Sequence, residues 1–582
     1  MPLAGLVVFT DGADNSAAPL TESLLQLKGR GIPVHTVGLG KERFDRDIEL
    51  ARVESPREVL HGSSVAADVM VVQSGYGAAT VTLNVEDAGR IVATQDVELP
   101  REGEMATVRV HFTVAESGPR LFRFHILPQP EELVSENNTR EVLIVVRDRR
   151  EKVLYFEGEP RFELGKLRRA VEADENLHVV ALVRTAENKF WGGGIEHEEE
   201  LAGGFPKTRE ELFQYRALIL GSIEASFFTH DQLQMIAEFV GQRGGGLLML
   251  GGRNSFAEGG YTGTPVASVL PVVLDPADGP DSEPIFREVK VELTPFGRSH
   301  PIAQIAASPE ESSERWPELP AVSSLNMVSE TKPGASTLLT GSSEDHDDLI
   351  VLAMQRYGRG RALAFTVQDS WLWQMHADVP LDDMTHETFW QQVLRWLVSS
   401  TPDQVAVILP EDRVGVAEEV AITSEVVDST YLRVNDAQVS ASVTAPSGEV
   451  HVLPLEWVVE RDGEYGARFA PTEEGLYEIR VDAVKGEAPV GEATTYLQVA
   501  DPVGEYFGAQ MRAPLLQRLA DETGGRFYTP ETVGSLPEDV RYTESGSTVY
   551  EERDLWDMPI VFLLLIGLMA TEWGYRRARG LV

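Results

Sequence analysis

The sequence predicts a multidomain chain of α/β and all-β parts that ends in a membrane-spanning helix. Three observations predict it. Residues 150–400 alternate apolar strands with helix-period segments, the pattern of a doubly wound parallel sheet. Two other stretches, 56–148 and 402–500, keep only the two-residue period of short strands cut by Gly, Pro and Asp turns, as in β-sandwiches. Finally, Pro559 to Ala570 (PIVFLLLIGLMA) is an uninterrupted apolar run.

Composition narrows the chemistry. The 582 residues carry 51 Lys+Arg against 92 Asp+Glu, a net charge of −41. So acidic a chain has little with which to neutralise phosphates in bulk, which argues against a nucleic-acid partner. It contains no Cys, hence no disulfide, no thiolate metal site and no thiol nucleophile.

In chain order, residues 1–55 read as one βαβ unit: strand Leu6–Phe9, helix Leu20–Lys28, strand Pro33–Val37. Parallel strands need cover on both faces, and one such unit cannot supply it, so the block is expected to be part of a domain. Met1 to Gly5 lacks the basic n-region of a signal peptide, and Leu6 to Phe9 is too short for an h-region. The strands of 56–148 (VAADVMVV, TVTLNV, ATVRVHFTV, RLFRFHI, REVLIVV) and of 402–500 carry no catalytic spacing. GLYEIRV in the second set resembles a late strand of an immunoglobulin-like module, and spacer or binding roles are expected for both.

Within 150–400, KVLYF (Lys152–Phe156) is a strand followed by Glu157-Gly158-Glu159-Pro160. A helix then places Phe162, Leu164, Leu167 and Val171 on one apolar face. Further strands are expected at His178–Leu182, Ala217–Leu220, Leu247–Leu250 and Ala362–Thr366. Helices are expected at about Thr229–Arg243, started by a Thr229 or Asp231 cap, and at His386–Leu397. Residues 501–555 hold a short helix, Ala513–Thr523, within a membrane-proximal linker.

The terminal span is expected at 556–575, with Trp556, Trp573 and Tyr575 as interfacial aromatics. The tail 576–582 is basic, and Arg576, Arg577 and Arg579 set it on the cytoplasmic side, leaving the bulk of the chain periplasmic or extracellular. The competing reading is a buried core helix.

Candidate sites follow from position. Thr10-Asp11-Gly12 ends a parallel strand, where α/β sheets hold ligands, and Asp11, Asp14 and Asn15 offer hard oxygen donors. VVFTDGADN followed by GIPVHTVGLG resembles the C-terminal third of a von Willebrand factor type A (VWA) domain. In that family the TDG aspartate is one element of a metal-ion-dependent adhesion site, completed by a DxSxS loop and a Thr. No DxSxS occurs in the chain, so the resemblance implies Asp11 alone, and Mg²⁺ only if a longer N-terminus completes the site.

The 150–400 block resembles class I glutamine amidotransferase-like domains, which are flavodoxin-like, and in particular those of bacterial membrane-anchored VWA proteins. The stretches that carry the likeness are GEPRFELGKLRRAV, YRALILGSIEASFFTHDQLQMIAEFVGQRGGGLLMLGGRNSFAEGGYTGTPVASVLPV, YGRGRALAFT and FWQQVLRWL. Such a fold carries its nucleophile at the turn after Leu247–Leu250, where this chain has Gly251-Gly252-Arg253-Asn254, with Ser255 beyond. These four residues are the candidate ligand site, suited to an anion or carboxylate through backbone N–H groups and a guanidinium; the alternative is a plain tight turn.

Elsewhere, Glu196-His197-Glu198-Glu199-Glu200 reads as a solvated loop. The group His376, Asp378, Asp382, Asp383, His386 and Glu387 lacks the HExxH spacing of a zinc site. Asn137-Asn138-Thr139 fits a glycosylation sequon in form. No resident cofactor is expected. The partners expected are the bilayer and a protein in the envelope. The function expected is a non-enzymatic, envelope-facing scaffold or binding protein. Its competitors are an enzyme using a nucleophile other than Cys, and metal-dependent adhesion if the true N-terminus is longer.

Overall fold

The computed structural model describes residues 5–13, 20–187, 189–197, 199–275, 285–306, 308–500, 506–540 and 558–580. The chain divides into two compact units, Met1–Arg43 with Ala509–Val582, and Phe44–Gly508.

The smaller unit is built from both ends of the sequence. Strands Leu6–Thr10, Val34–Gly38 and Phe527–Tyr528 form a three-stranded parallel sheet with Val34–Gly38 in the middle. Every residue of that central strand is buried. Helix Ala513–Thr523 packs on it: the buried Thr36 Oγ1 donates to Leu516 O at 2.9 Å, and Val34 N donates to Thr523 Oγ1 at 3.0 Å. The helix ends at Gly524 with φ 81°, the left-handed conformation that favours glycine. Gly525 then passes so close that a Cβ would lie 1.9 Å from Val34 O. Residues 513–528, expected as a short helix within a linker, therefore supply a helix packed on this sheet and its third strand. On the outer strand, Leu6, Val7 and Phe9 lie open, Phe9 at 60% exposure.

The larger unit holds two sandwiches and an α/β domain. Asp47–Glu54, expected with the first βαβ unit, instead pairs antiparallel with Ser64–Ser74. Its residues alternate between inside and outside, which suits a sandwich strand. With Met105–Thr113 they form a three-stranded sheet that faces a five-stranded one. Val65, Ala67, Val69 and Val71 point inward at the two-residue period against Leu83, Phe122 and Phe124. In the second sandwich, Val405–Val499 form one eight-stranded sheet that folds over a core including Ile422, Ala441, Tyr465, Tyr477 and Ile479.

The α/β domain is centred on five parallel strands: β1 (Glu151–Glu157), β2 (Leu177–Ala186), β3 (Ala217–Leu220), β4 (Gly246–Leu250) and β5 (Gly360–Phe365). Their spatial order is β2-β1-β3-β4-β5, and antiparallel strands extend both edges. Successive side chains of β1 serve opposite faces: Val153 and Tyr155 join a core with helices α1 (Phe162–Glu172) and α3 (Thr385–Ser399). Leu154 and Phe156 join the core under α2 (His230–Gly241). Thr229 starts α2 with a capping box closed by Gln232. On α1, Leu164, Leu167 and Val171 are buried as expected, but Phe162 is 75% exposed. It stands at the first helical position, next to the non-helical Arg161, and its side chain lies in the open.

Candidate functional site

In this strand order the connections leave β1 and β3 in opposite directions, which opens a crevice beyond their carboxyl ends. Glu157, the last residue of β1, is fully buried there. Its carboxylate accepts from Tyr155 OH at 2.9 Å, from Arg161 Nη2 at 2.9 Å and from Ser222 N at 2.8 Å. A Cβ on Gly221 would lie 2.4 Å from Glu157 Oε2, so glycine is required for that approach. Burial works against the Arg161 cation, but the adjacent Glu157 holds it above its ordinary value. Arg161 Nη1 donates to Gly251 O at 2.6 Å, tying the end of β1 to the turn after β4.

The four residues singled out at that turn are brought to the crevice with unequal freedom. Gly251 N donates to Phe365 O at 2.7 Å. Asn326 clasps Gly252 on both sides, its Oδ1 accepting from Gly252 N at 2.8 Å and its Nδ2 donating to Gly252 O at 2.9 Å. Asn254 N donates to Ser222 Oγ at 3.2 Å, and Ser222 Oγ donates to Glu159 Oε1 at 2.7 Å. The N–H groups of 251, 252 and 254 are thus engaged internally. The parts left facing outward are the exposed Arg253 side chain and the half-buried side chain of Asn254. Ser255 is fully buried and donates to Gly221 O at 3.1 Å.

Beside the crevice, a buried polar chain runs from α1 to α3. Glu163 accepts from Ser370 Oγ and from Trp371 N, and Trp390 Nε1 lies 3.1 Å from both Ser370 Oγ and His386 Nε2. Burial pushes the Glu163 carboxyl up to about 7, partly offset by Ser370 and Arg161. Burial pulls His386 down to about 4. Above this chain the exposed Phe162 ring packs 5.7 Å from Trp371.

The remaining candidates are dispersed. Asp383 pairs with Arg315 and accepts from Thr385 N at the start of α3, Glu387 meets Gln374, and His376 lies 3.5 Å from Asp378. Among the described residues no group of three or more His, Cys, Asp or Glu could hold a metal. Glu196 and Glu200 pair with Lys152 at 2.9 and 2.8 Å, while Glu198 lies outside the described residues. Asn137 is fully buried and donates to Asp47 Oδ2 at 3.0 Å, so the sequon is not presented at the surface.

In the smaller unit, Asp11 Oδ1 accepts from Ala13 N at 3.0 Å, an Asx turn, and Arg512 N donates to Asp11 O at 2.7 Å. Asp14 and Asn15 lie outside the described residues.

The terminal helix is Pro559–Ala578, 20 residues, none of them buried, and it is long and apolar enough to cross a membrane. It runs three residues past the expected span, into Arg576 and Arg577. Trp573 carries Arg577 over its ring at 5.2 Å, and Tyr575 carries Arg579 at 4.6 Å. Trp556 lies outside the described residues.

Glu157, Arg161, Glu163, Ser222 and Asn326 were not singled out from sequence. The first two had a signal, acid and base flanking a Gly-x-Pro turn at the end of a parallel strand. Asn326 had none, since it reaches Gly252 from the irregular chain just past the short strand Val322–Leu325.

With this geometry in place, residues 195–399 match the model of a family described as "Putative glutamine amidotransferase". That segment is amidotransferase-like. The match begins after β1 and β2, so half of the crevice lies outside it. No curated protein matches the chain. Among solved structures it is similar to a cytoplasmic protein from Salmonella typhimurium, at 19% identity over 43% of this chain and 99% of that one, TM-score 0.32. It is also similar to a CARDB domain from Pyrococcus furiosus, at 19% identity over 19% and 94%, TM-score 0.16. A β-galactosidase from Rahnella sp. R3 is similar at 13% identity over 56% and 41%, TM-score 0.24. At these TM-scores none of the three bears on function.

Proposed function

We propose that the protein is a membrane-anchored binding protein of the bacterial envelope, and that its amidotransferase-like domain holds a ligand or partner without transforming it. The observation that carries this reading is the turn after β4. Gly251 and Gly252 stand where the fold would present a nucleophile, and the chain has no Cys. The nearest hydroxyl beyond the turn, Ser255, is buried and committed to Gly221 O. Arg253 and Asn254, with the Phe162–Trp371 pair, are the groups available to a bound partner. Two immunoglobulin-like sandwiches would then serve as spacers, and the basic end of the terminal helix favours a cytoplasmic tail.

In the same reading the smaller unit is VWA-like. The open side chains of Leu6, Val7 and Phe9 suit a strand that further VWA-like strands would cover. Its role in this reading is docking.

One observation favours the enzyme reading: Ser222 Oγ donates to Glu159, a hydroxyl beside a carboxylate base in the crevice. Its complete burial weighs against attack on any substrate. Purified full-length chain assayed for glutamine, amide and ester hydrolysis separates the two. Binding without turnover is expected. Hydrolysis that is lost in Arg253→Ala, Ser255→Ala or Ser222→Ala would overturn the binding reading.

A further inference from the structure

The two links of the larger unit, 148–150 before β1 and 400–404 after α3, meet at one carboxylate. Asp403, half-buried in the second link, accepts from three guanidinium groups. Its Oδ2 takes Arg147 Nη1 at 3.1 Å and Arg149 Nη1 at 2.7 Å, and its Oδ1 takes Arg216 Nη2. Arg147 ends the last strand of the first sandwich, Thr139–Arg147. Arg149 lies in the first link, and Arg216 immediately precedes β3. Two further carboxylates complete the set: Glu58 pairs with Arg147 at 2.6 Å, and Glu151 pairs with Arg216 at 2.9 Å and with Arg149. Burial works against the Asp403 carboxylate, but Arg216 and Arg149 hold it well below the usual carboxylate range.

The neighbouring residue gathers donors in the same way. Pro402 O accepts from Arg216 Nη1 at 2.9 Å, from Arg243 Nη1 at 2.7 Å and from Tyr431 OH at 3.1 Å. Arg216 and Arg243 belong to the α/β domain and Tyr431 to the second sandwich, where its ring lies 4.2 Å from the Arg243 guanidinium. Two adjacent residues therefore tie all three bodies together.

The place of this junction in the fold matters for the crevice. Glu151 is the first residue of β1, and Arg216 O accepts at 2.9 Å from the N–H of Gly246, the first residue of β4. The junction thus lies at the amino ends of the parallel strands, and the crevice at their carboxyl ends. Domains of one chain move against each other unless their interface restrains them. The first sandwich has restraints of its own: Leu60 joins the core of the α/β domain, and Gly62 O accepts from Arg395. Away from the junction, the second sandwich reaches the α/β domain through an exposed pair, Arg359 and Glu425, 3.2 Å apart.

We propose that Asp403 is an ionic latch that locks the second sandwich against the rest of the larger unit and so holds the crevice clear of it. Neutralising Asp403 leaves Arg147, Arg149 and Arg216 side by side with two carboxylates between them. Removing one partner from a shielded ion network leaves the others uncompensated, which favours their separation. The second sandwich then swings about residues 400–404 while the first stays in place.

The chain has no Cys, so introduced cysteines carry spin labels at chosen positions alone. Glu98→Cys, Glu210→Cys and Glu478→Cys, all at exposed residues, mark the first sandwich, the α/β domain and the second sandwich. Double electron–electron resonance on the full-length chain in micelles reads the three pairwise distances. They are compared with and without Asp403→Asn, and with Arg149→Gln, at the most exposed of the three arginines, as a milder variant. Circular dichroism melts establish that the variants fold. Narrow distributions are expected for all three pairs when Asp403 is present. Asp403→Asn should widen the 98–478 and 210–478 distributions roughly twofold or more and leave 98–210 unchanged, and Arg149→Gln should widen the same two by less. A broad 210–478 distribution with Asp403 in place, unchanged widths in the folded variants, or equal widening of 98–210 would overturn the proposal.

Discussion

Glu163→Gln separates one buried ionisation from the rest of the larger unit. The carboxyl is 1% exposed and burial raises it from 4.5 to about 7. A raised carboxylate pKa means the folded state holds more protons than the unfolded state between those values. Stability from this group is therefore full below about pH 4.5 and falls as pH rises toward 7. At about 1.4 kcal/mol per pH unit the loss is on the order of 3 kcal/mol. Two buried histidines and one half-buried one oppose it. His111 and His386, lowered to about 4, and His300, lowered to about 3, are destabilising as pH falls below 6.5. The absolute slope is thus a sum, but the difference between native chain and variant isolates Glu163. Urea unfolding followed by the fluorescence of the buried Trp316, Trp373 and Trp390 reports on this domain. From pH 5 to 8 the native chain should lose about 2–3 kcal/mol more than Glu163→Gln. Parallel pH profiles, or a steeper loss in the variant, would refute the reasoning.

Other expected outcomes follow the same geometry. Asn326→Ala leaves the N–H and C=O of Gly252 without partners and should cost about 2–4 kcal/mol in urea unfolding. Gly525→Ala puts a Cβ 1.9 Å from Val34 O and should expose the segment 509–540 to limited proteolysis while the larger unit stays resistant. Leu565→Arg, at the middle of the terminal helix, should disfavour membrane insertion by about 3 kcal/mol and shift the chain toward the soluble fraction on carbonate extraction.

What the sequence made legible was whatever repeats locally. Ala217–Leu220 lies where its apolar run put it, and Leu164, Leu167 and Val171 face the core that their spacing predicted. Phe162 shared that spacing yet sits on the crevice rim, because its place at the helix start decides its direction. The pairing of Thr36 with Phe527 left no local trace, since a two-residue strand carries no period and its partner is almost the whole chain away. In the site, Gly251 to Asn254 were found by position after a strand. That the N–H groups of Gly251, Gly252 and Asn254 are engaged depended on Asn326, Ser222 and Phe365, which only tertiary structure brings near.

The central claim, that the crevice binds but does not react, is tested most directly by intact-mass measurement after exposure of the full-length chain to a fluorophosphonate. Such a reagent marks only a serine activated by a neighbouring base. The account predicts an unmodified mass. An adduct mapping to Ser222 or Ser255 would contradict it.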